Sequence, residues 1–257
     1  MKKRIEDLTV TRNHTLADGF FVIEAATSSQ LPEIGAGQFV QVLVTGSPST
    51  FLRRPLSVHD ADYTNNTISL LIQVAGAGTE RLSQLQTGEK INIIYPLGNS
   101  FTLPARGEKV LLVGGGSGMA PLLYLGRKVR EAGVEPQFAI GFRNRSRILE
   151  HDEFMKLGHV MLATEDGSEG SKGFVTDIPA LRDVEWDRVY CCGPEPMMKA
   201  VAEICRARNI FCEVSLENLM ACGLGICLCC IVPTTSGNLC SCTDGPVFNI
   251  RDLKWQT

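Results

Sequence analysis

The chain has 257 residues, 44% hydrophobic and 21% charged, with a formal net charge of -3. That length accommodates two compact domains with their own cores, and the charge excludes the basic field that binds nucleic-acid backbones. No stretch approaches the roughly 20 apolar residues of a membrane span, and the charged start Met1-Lys2-Lys3-Arg4 leads into no apolar run, so a cytoplasmic protein without a signal peptide is expected.

The first hundred residues read as β-rich. Phe20–Ile23, Gln38–Val44, Thr67–Gln73 and Ile91–Ile94 are short β-branched or aromatic runs separated by Gly, Pro, Ser and Asn, and such spacing predicts a small antiparallel barrel. One brief helix is expected over Thr79–Gln86. After Pro104 the rhythm changes. Lys109–Val113, Gln137–Phe142, Val160–Thr164 and Val189–Cys192 read as buried strands with helical segments between them, which predicts a doubly wound parallel sheet. From about Asn218 the chain is rich in Cys, Gly and Pro with little periodicity, and needs a staple to be ordered. The expected division is a barrel over 1–103, an α/β domain over 104–217 and a small C-terminal segment over 218–257.

Ten cysteines in a chain of this size without an export signal point to metal binding or catalysis rather than disulfides. Six of them lie between Cys222 and Cys242. Cys222, Cys227 and Cys230 have the spacing C-x4-C-x2-C with further thiols downstream, the plant-type [2Fe–2S] pattern. Three thiolates converging from one loop require tight winding, for which Gly223 and Gly225 are suited. Zinc, which favours two separated short-spaced cysteine pairs, and plain buried thiols are the competing readings. Cys229 and Cys240 stand beside Cys230 and Cys242 and leave the ligand set open on spacing alone. Cys191, Cys192, Cys205 and Cys212 have apolar neighbours, and three of these four are expected to be core residues.

Gly114-Gly115-Gly116-Ser117-Gly118 joins a strand to a helix, where glycines let the backbone approach a pyrophosphate and a helix N-terminus supplies N–H donors. Cys192-Gly193-Pro194 forms a second strand-to-helix junction, at the sheet edge where open α/β folds bind ligands. Alone it reads as structural, and its pairing with the glycine loop tips it toward nicotinamide binding. In the barrel, Arg53-Arg54-Pro55-Leu56-Ser57 is read as an edge strand with a guanidinium and a hydroxyl on one face, suited to a phosphate and a ring heteroatom. Gly76-Ala77-Gly78-Thr79 adds backbone donors at a helix start. Taken separately, each of these barrel motifs reads more readily as a turn or a solvated strand end than as a binding site.

In the order R-P-x-S, G-x-G-T, G-G-G-S-G-x-A-P, C-G-P and C-x4-C-x2-C, the chain resembles the ferredoxin-NADP reductase superfamily with a C-terminal cluster. Within it the chain is most similar to the electron-transfer subunits of heteromeric, NAD-dependent dihydroorotate dehydrogenases. The similarity runs over essentially the whole sequence, and Thr164-Glu165-Asp166-Gly167-Ser168-Glu169-Gly170 and Cys242-Thr243-Asp244-Gly245-Pro246 make it specific. It implies an FAD site from Arg54, Pro55, Leu56, Ser57, Leu71, Ile72, Gln73, Gly78 and Thr79. It implies catalytic roles for Ser57, near the flavin N5, and for Cys192, and NAD at Gly114–Gly118 with Cys192, Gly193 and Pro194. It also implies a [2Fe–2S] cluster on Cys222, Cys227, Cys230 and Cys242, and an FMN-containing catalytic partner in a heterotetramer of two of each subunit. The family alternatives are a subunit of another NAD(P)H–ferredoxin or sulfide oxidoreductase. From a different class comes a zinc-stapled NAD-binding regulatory module.

Overall fold

The structure, a computed structural model, describes residues 3–255. The chain first builds strands β1 (Arg4–Ala17), β2 (Phe20–Ala26), β3 (Phe39–Leu43), β4 (Arg54–Ser57), β5 (Asp60–Asp62) and β6 (Thr67–Gln73), then helix α1 (Ala77–Ser83) and strand β7 (Lys90–Leu97). These strands form one antiparallel sheet in the order β4-β3-β7-β1-β2-β6-β5. The sheet curls until β4 approaches β6, giving the expected barrel. β1 was not foreseen: its polar, partly exposed sequence hides its pairing on both edges with β2 and β7. Helix α1 starts two residues before the expected Thr79. Gly76 precedes it, and Thr79 Oγ1 accepts from the Ala75 and Gly76 amides at 2.8 and 3.2 Å, so the hydroxyl closes the turn behind it.

The second half alternates β8 (Val110–Gly115), α2 (Met119–Glu131), β9 (Pro136–Phe142), α3 (His151–Met155), β10 (His159–Thr164), β11 (Ser171–Lys172), α4 (Ala180–Asp183), β12 (Arg188–Cys192), α5 (Glu195–Ala207) and β13 (Phe211–Ser215). The sheet order is β11-β10-β9-β8-β12-β13, parallel throughout. From β8 the chain winds outward to β10 and β11, then returns to β12 on the other side of β8. The order therefore reverses between β8 and β12, and a crevice opens at their C-terminal ends.

The last segment forms the hairpin β14 (Ile231–Thr234) and β15 (Gly237–Cys240), then β16 (Val247–Asn249), which adds antiparallel to β13. Phe248, Ile250 and Leu253 are buried in the α/β core, each contributing roughly 1.5–3 kcal/mol of burial. Part of the staple this segment needed is thus ordinary sheet pairing and packing. Asn99 N–H donates to Gly245 O and Leu216 N–H to Pro246 O, tying the segment to both sheets. The barrel and α/β domain are themselves joined through α2. Tyr124 Oη donates to Ile34 O at 2.9 Å, Arg127 pairs with Asp60, and buried His59 lies between Ala120 O at 2.8 Å and the Glu150 carboxylate at 2.9 Å.

Candidate active site at the sheet crevice, the barrel edge and the cysteine loop

The two glycine-bearing junctions meet at the crevice between β8 and β12. A Cβ on Gly118 would lie 2.2 Å from Cys192 O, and one on Gly115 would meet Met197 Sδ at 2.8 Å. These two glycines therefore serve close packing of one loop on the other. Gly116 differs: its φ of 56° is left-handed and the space around it is open, so glycine is needed there for the turn rather than for packing. Cys192 is fully buried, with Sγ 3.6 Å from Ser215 O, and burial holds the thiol well above its ordinary range. It is a neutral contact surface, neither acid nor nucleophile. Cys191, Cys205 and Cys212 are buried as well, so all four of these thiols are core residues rather than three.

Sequence reasoning missed Glu217 beside them. Ser117 Oγ donates to Glu217 Oε1 at 3.3 Å, and the carboxylate lies near Cys192. Glu217 is open to solvent, yet protein desolvates its carboxyl enough to raise its pKa. Both conditions hold for a group on the wall of a cleft. The signal was its position just past β13, a strand the sequence reading did not recognise.

β4 is an edge strand, as Pro55 required. Arg53 is consumed structurally: it donates to Gln41 O at 3.1 Å and to Asn92 Oδ1 at 2.6 Å. Arg54 has no hydrogen bond or ion pair among the described residues, and its Nε lies 3.1 Å from where a Gly78 Cβ would be. Arg54 and the start of α1 therefore form one corner. The expectation of one shared face is corrected, because Arg54 pairs with Val42 and Ser57 with Phe39, an odd offset that sends them to opposite sides of the strand. Leu71 and Ile72 are buried in the barrel, and Gln73 is exposed. β5 pairs only with Thr67–Ser69, so backbone groups along Leu71–Gln73 form an open edge toward β4. A flat cofactor fits between these two edges, held by backbone groups, Arg54 and Ser57.

The cysteine loop packs on the neighbouring strands: Phe39 of β3 and Leu97 of β7 form one apolar cluster with Cys230 and Cys242. Ser57 shares a face with Phe39, so the flavin-type edge and the cysteine loop are adjacent. Cys227 is the side-chain neighbour of Cys222, and Cys230 that of Cys242. The Leu224 N–H, 3.3 Å from Cys222 Sγ, brings that thiol down to about 6. Burial pushes Cys242 up to about 12, against the Gly225 N–H at 3.2 Å. Two thiol pairs with backbone donors suit a [2Fe–2S] core, which takes four thiolates over two irons. Three buried polar atoms without a partner among the described residues, Gln41 Nε2 and Oε1 and Ser241 Oγ, lie around this loop. Cys229 is turned away, with Sγ 3.7 Å from Leu219 O, whereas Cys240 stays beside Cys230. A concave pocket of about 460 Å3 at the opposite edge of the parallel sheet, lined by Glu108, Gln137 and His159, is remote from this chemistry.

Comparison with known proteins agrees with this layout. Residues 217–254 match the iron-sulfur cluster binding domain of dihydroorotate dehydrogenase B, and residues 112–203 match the oxidoreductase NAD-binding domain. A dihydroorotate dehydrogenase B (NAD(+)) electron transfer subunit from Shouchella clausii is 37% identical over 98% of this chain and 99% of its own. One from Clostridium perfringens is 39% identical over 96% of both chains. Among solved structures, an NADH-dependent reduced ferredoxin-NADP oxidoreductase superposes with a TM-score of 0.88 at 29% identity, covering 96% of this chain and 90% of that one. Phthalate dioxygenase reductase, at 18% identity and a TM-score of 0.69 over 91% and 87% of the two chains, shares the fold. With an antiparallel barrel, an NAD-binding sheet and a paired-thiol loop in one chain, and relatives matching it from end to end, this protein belongs to the family of dihydroorotate dehydrogenase B electron transfer subunits.

Proposed function

We propose that this chain passes electrons from an FMN-containing dihydroorotate dehydrogenase partner to NAD+ in pyrimidine biosynthesis, as half of a cytoplasmic heterotetramer of two of each subunit. The observation that carries the reading is the adjacency of three sites: β6 touches the Gly116–Gly118 turn at the crevice, and β3 beside β4 packs against the thiol pairs. When bound, FAD exchanges a hydride with NAD and single electrons with an iron–sulfur centre. In this reading residues 1–103 hold FAD, 104–217 hold NAD, and 218–257 hold the cluster. Arg54 neutralises the pyrophosphate beside Gly78 and Thr79, Leu56 and Pro55 align the ring along the strand, and Ser57 offers its hydroxyl at the reacting edge. Leu71, Ile72 and Gln73 supply the opposing backbone. Gly114–Gly118, with Gly193 and Pro194, bring the nicotinamide ribose and phosphates into the crevice. Cys192 and Glu217 bound the pocket where the nicotinamide stacks, one apolar and one polar, and Cys222, Cys227, Cys230 and Cys242 are the ligands.

The test is cofactor analysis of protein purified anaerobically, followed by addition of NADH. Flavin and iron–sulfur bands in the visible spectrum, both bleached by NADH, are expected. A colourless protein carrying zinc would replace this reading with that of a metal-stapled nucleotide-binding module. Turnover of dihydroorotate with an added partner separates it from a subunit of another ferredoxin or sulfide oxidoreductase.

A further inference from the structure

Gln41 lies in the middle of β3, where an apolar residue would cause no difficulty. Its side chain is fully buried, and neither Nε2 nor Oε1 has a partner among the described residues. A buried primary amide without partners is strongly disfavoured, so its retention needs a group that the polypeptide itself does not supply.

The surroundings say where that group lies. Val40 and Val42 fill the barrel core, and strand alternation sends Phe39 and Gln41 to the other face, where Phe39 packs against Cys230 and Cys242. The Gln41 head lies against the loop residue that follows Cys222: a Cβ on Gly223 would sit 2.7 Å from Nε2 and 2.7 Å from Cγ. Gly223 has a left-handed φ of 68°, so it admits the amide both by lacking a side chain and by its backbone. At its other end Gln41 is fixed, since its carbonyl accepts from Arg53 Nη1 at 3.1 Å and its Cα pairs with Pro55. One residue thus spans from the R-P-x-S strand to the Cys222 end of the cysteine loop.

We propose that Gln41 is a positioning residue that donates its side-chain N–H to the iron–sulfur site at the Cys222 end and raises the potential of that site. The inference rests on the [2Fe–2S] assignment above. The physical basis is charge: a donor aimed at cluster sulfur favours the more negative, reduced state. The Leu224 and Gly225 amides already serve as donors from the loop, and Gln41 adds one from the barrel, beside the flavin-type edge.

The experiment is an EPR-monitored redox titration of the reconstituted full chain, wild type against Gln41→Met and Gln41→Glu. A wild type with no reduced [2Fe–2S] signal would refute the cluster assignment itself. Given that signal, Gln41→Met should lower the cluster midpoint and Gln41→Glu should lower it at least as far, with flavin content unchanged. Unshifted midpoints in both variants overturn the proposal. Should the variants fail to take up iron, pulsed EPR on reduced wild type carrying 15N in its glutamine side chains decides. A weak nitrogen coupling to the cluster supports the donor, and its absence, as when a water holds the amide, overturns it.

Discussion

A cysteine becomes a ligand through the direction its backbone gives it, and four consecutive residues here show the difference. Cys227 faces Cys222, Cys230 faces Cys242, and Cys229 between them turns to Leu219 O. Spacing alone left Cys229 open as a substitute for Cys230, because strand and loop direction are not legible in a count of intervening residues. The structure favours Cys230, which is buried against Phe39 while Cys229 is exposed. Cys227→Ser should therefore lose most of its iron and keep its flavin, whereas Cys229→Ser should keep both. Iron and flavin analysis of the two purified variants checks this. The reverse pattern, with iron lost only from Cys229→Ser, would refute the ligand set.

Among the elements, β13 shows what the sequence concealed. Phe211-Cys212-Glu213-Val214-Ser215 carries a charge in the middle of a short run, which argues against a central strand, yet β13 lies between β12 and β16. Glu213 is buried there and accepts from Thr102 N at 2.9 Å and Thr102 Oγ1 at 3.1 Å. Burial raises its pKa above the ordinary carboxylate range despite those donors and Arg188. The folded state thus holds this proton more tightly than the unfolded chain does, so stability falls as pH rises from the ordinary carboxylate pKa through the raised one. Glu213→Gln keeps an acceptor for both Thr102 donors and removes the ionisation. Its midpoint of thermal unfolding should exceed that of wild type at pH 8, and the gain should fade at pH 4. A variant less stable at both values would show that the charge itself is needed.

The same strand explains which parts of the site were legible. Motifs whose chemistry depends on backbone freedom or thiols, such as Gly114–Gly118 and the cysteine loop, announce themselves in the sequence. Glu217, Gln41 and the His59 contact to α2 do not, because each acquires meaning only from residues far away in the chain. The loop after β10 lies between these cases. Glu165 and Asp166 are exposed there, and Asp166 accepts from Ser168 N at 2.9 Å and Ser168 Oγ at 2.6 Å, which lowers its pKa. It is therefore held as an anion just past β10, where the resemblance to ferredoxin-NADP reductases would put the 2′ position of the adenosine ribose, although the Lys172 stem lies against Gly167 close by. Two carboxylates repel a 2′-phosphate and accept from a hydroxyl. NADH is expected to exceed NADPH by at least tenfold in kcat/KM, and comparable values in a steady-state assay would exclude this role.

At the scale of the molecule, the question is what the chain can do alone. The barrel and nucleotide domain are clasped by α2 contacts at Tyr124, Arg127 and Ala120, so the crevice and the barrel edge are held in one frame. With FAD bound, hydride exchange with NAD is therefore expected to need no residue from a second chain. Oxidising dihydroorotate is different, because a carbon-bound proton must leave to a base set beside the substrate. Each of the four histidines is placed elsewhere. His59 is enclosed between Ala120 and Glu150, His14 lies on β1, His151 starts α3, and His159 opens β10 at the edge opposite the crevice. Around the thiol pairs, by contrast, the surface is unusually apolar: Leu219 is 87% exposed, Ile226 80% and Leu228 57%. Exposed apolar groups of this size mark a surface that another protein covers, and Ile226 and Leu228 flank Cys227 in the loop itself. With NADH, the isolated chain should thus reduce artificial acceptors. With dihydroorotate and NAD+ it should produce no NADH until an FMN-containing partner is added, when turnover should begin and the two chains should co-elute. Replacing Ile226 and Leu228 with Asp should weaken that co-elution at least tenfold while leaving NADH-driven acceptor reduction intact. Sustained turnover by the chain alone would overturn this division of labour.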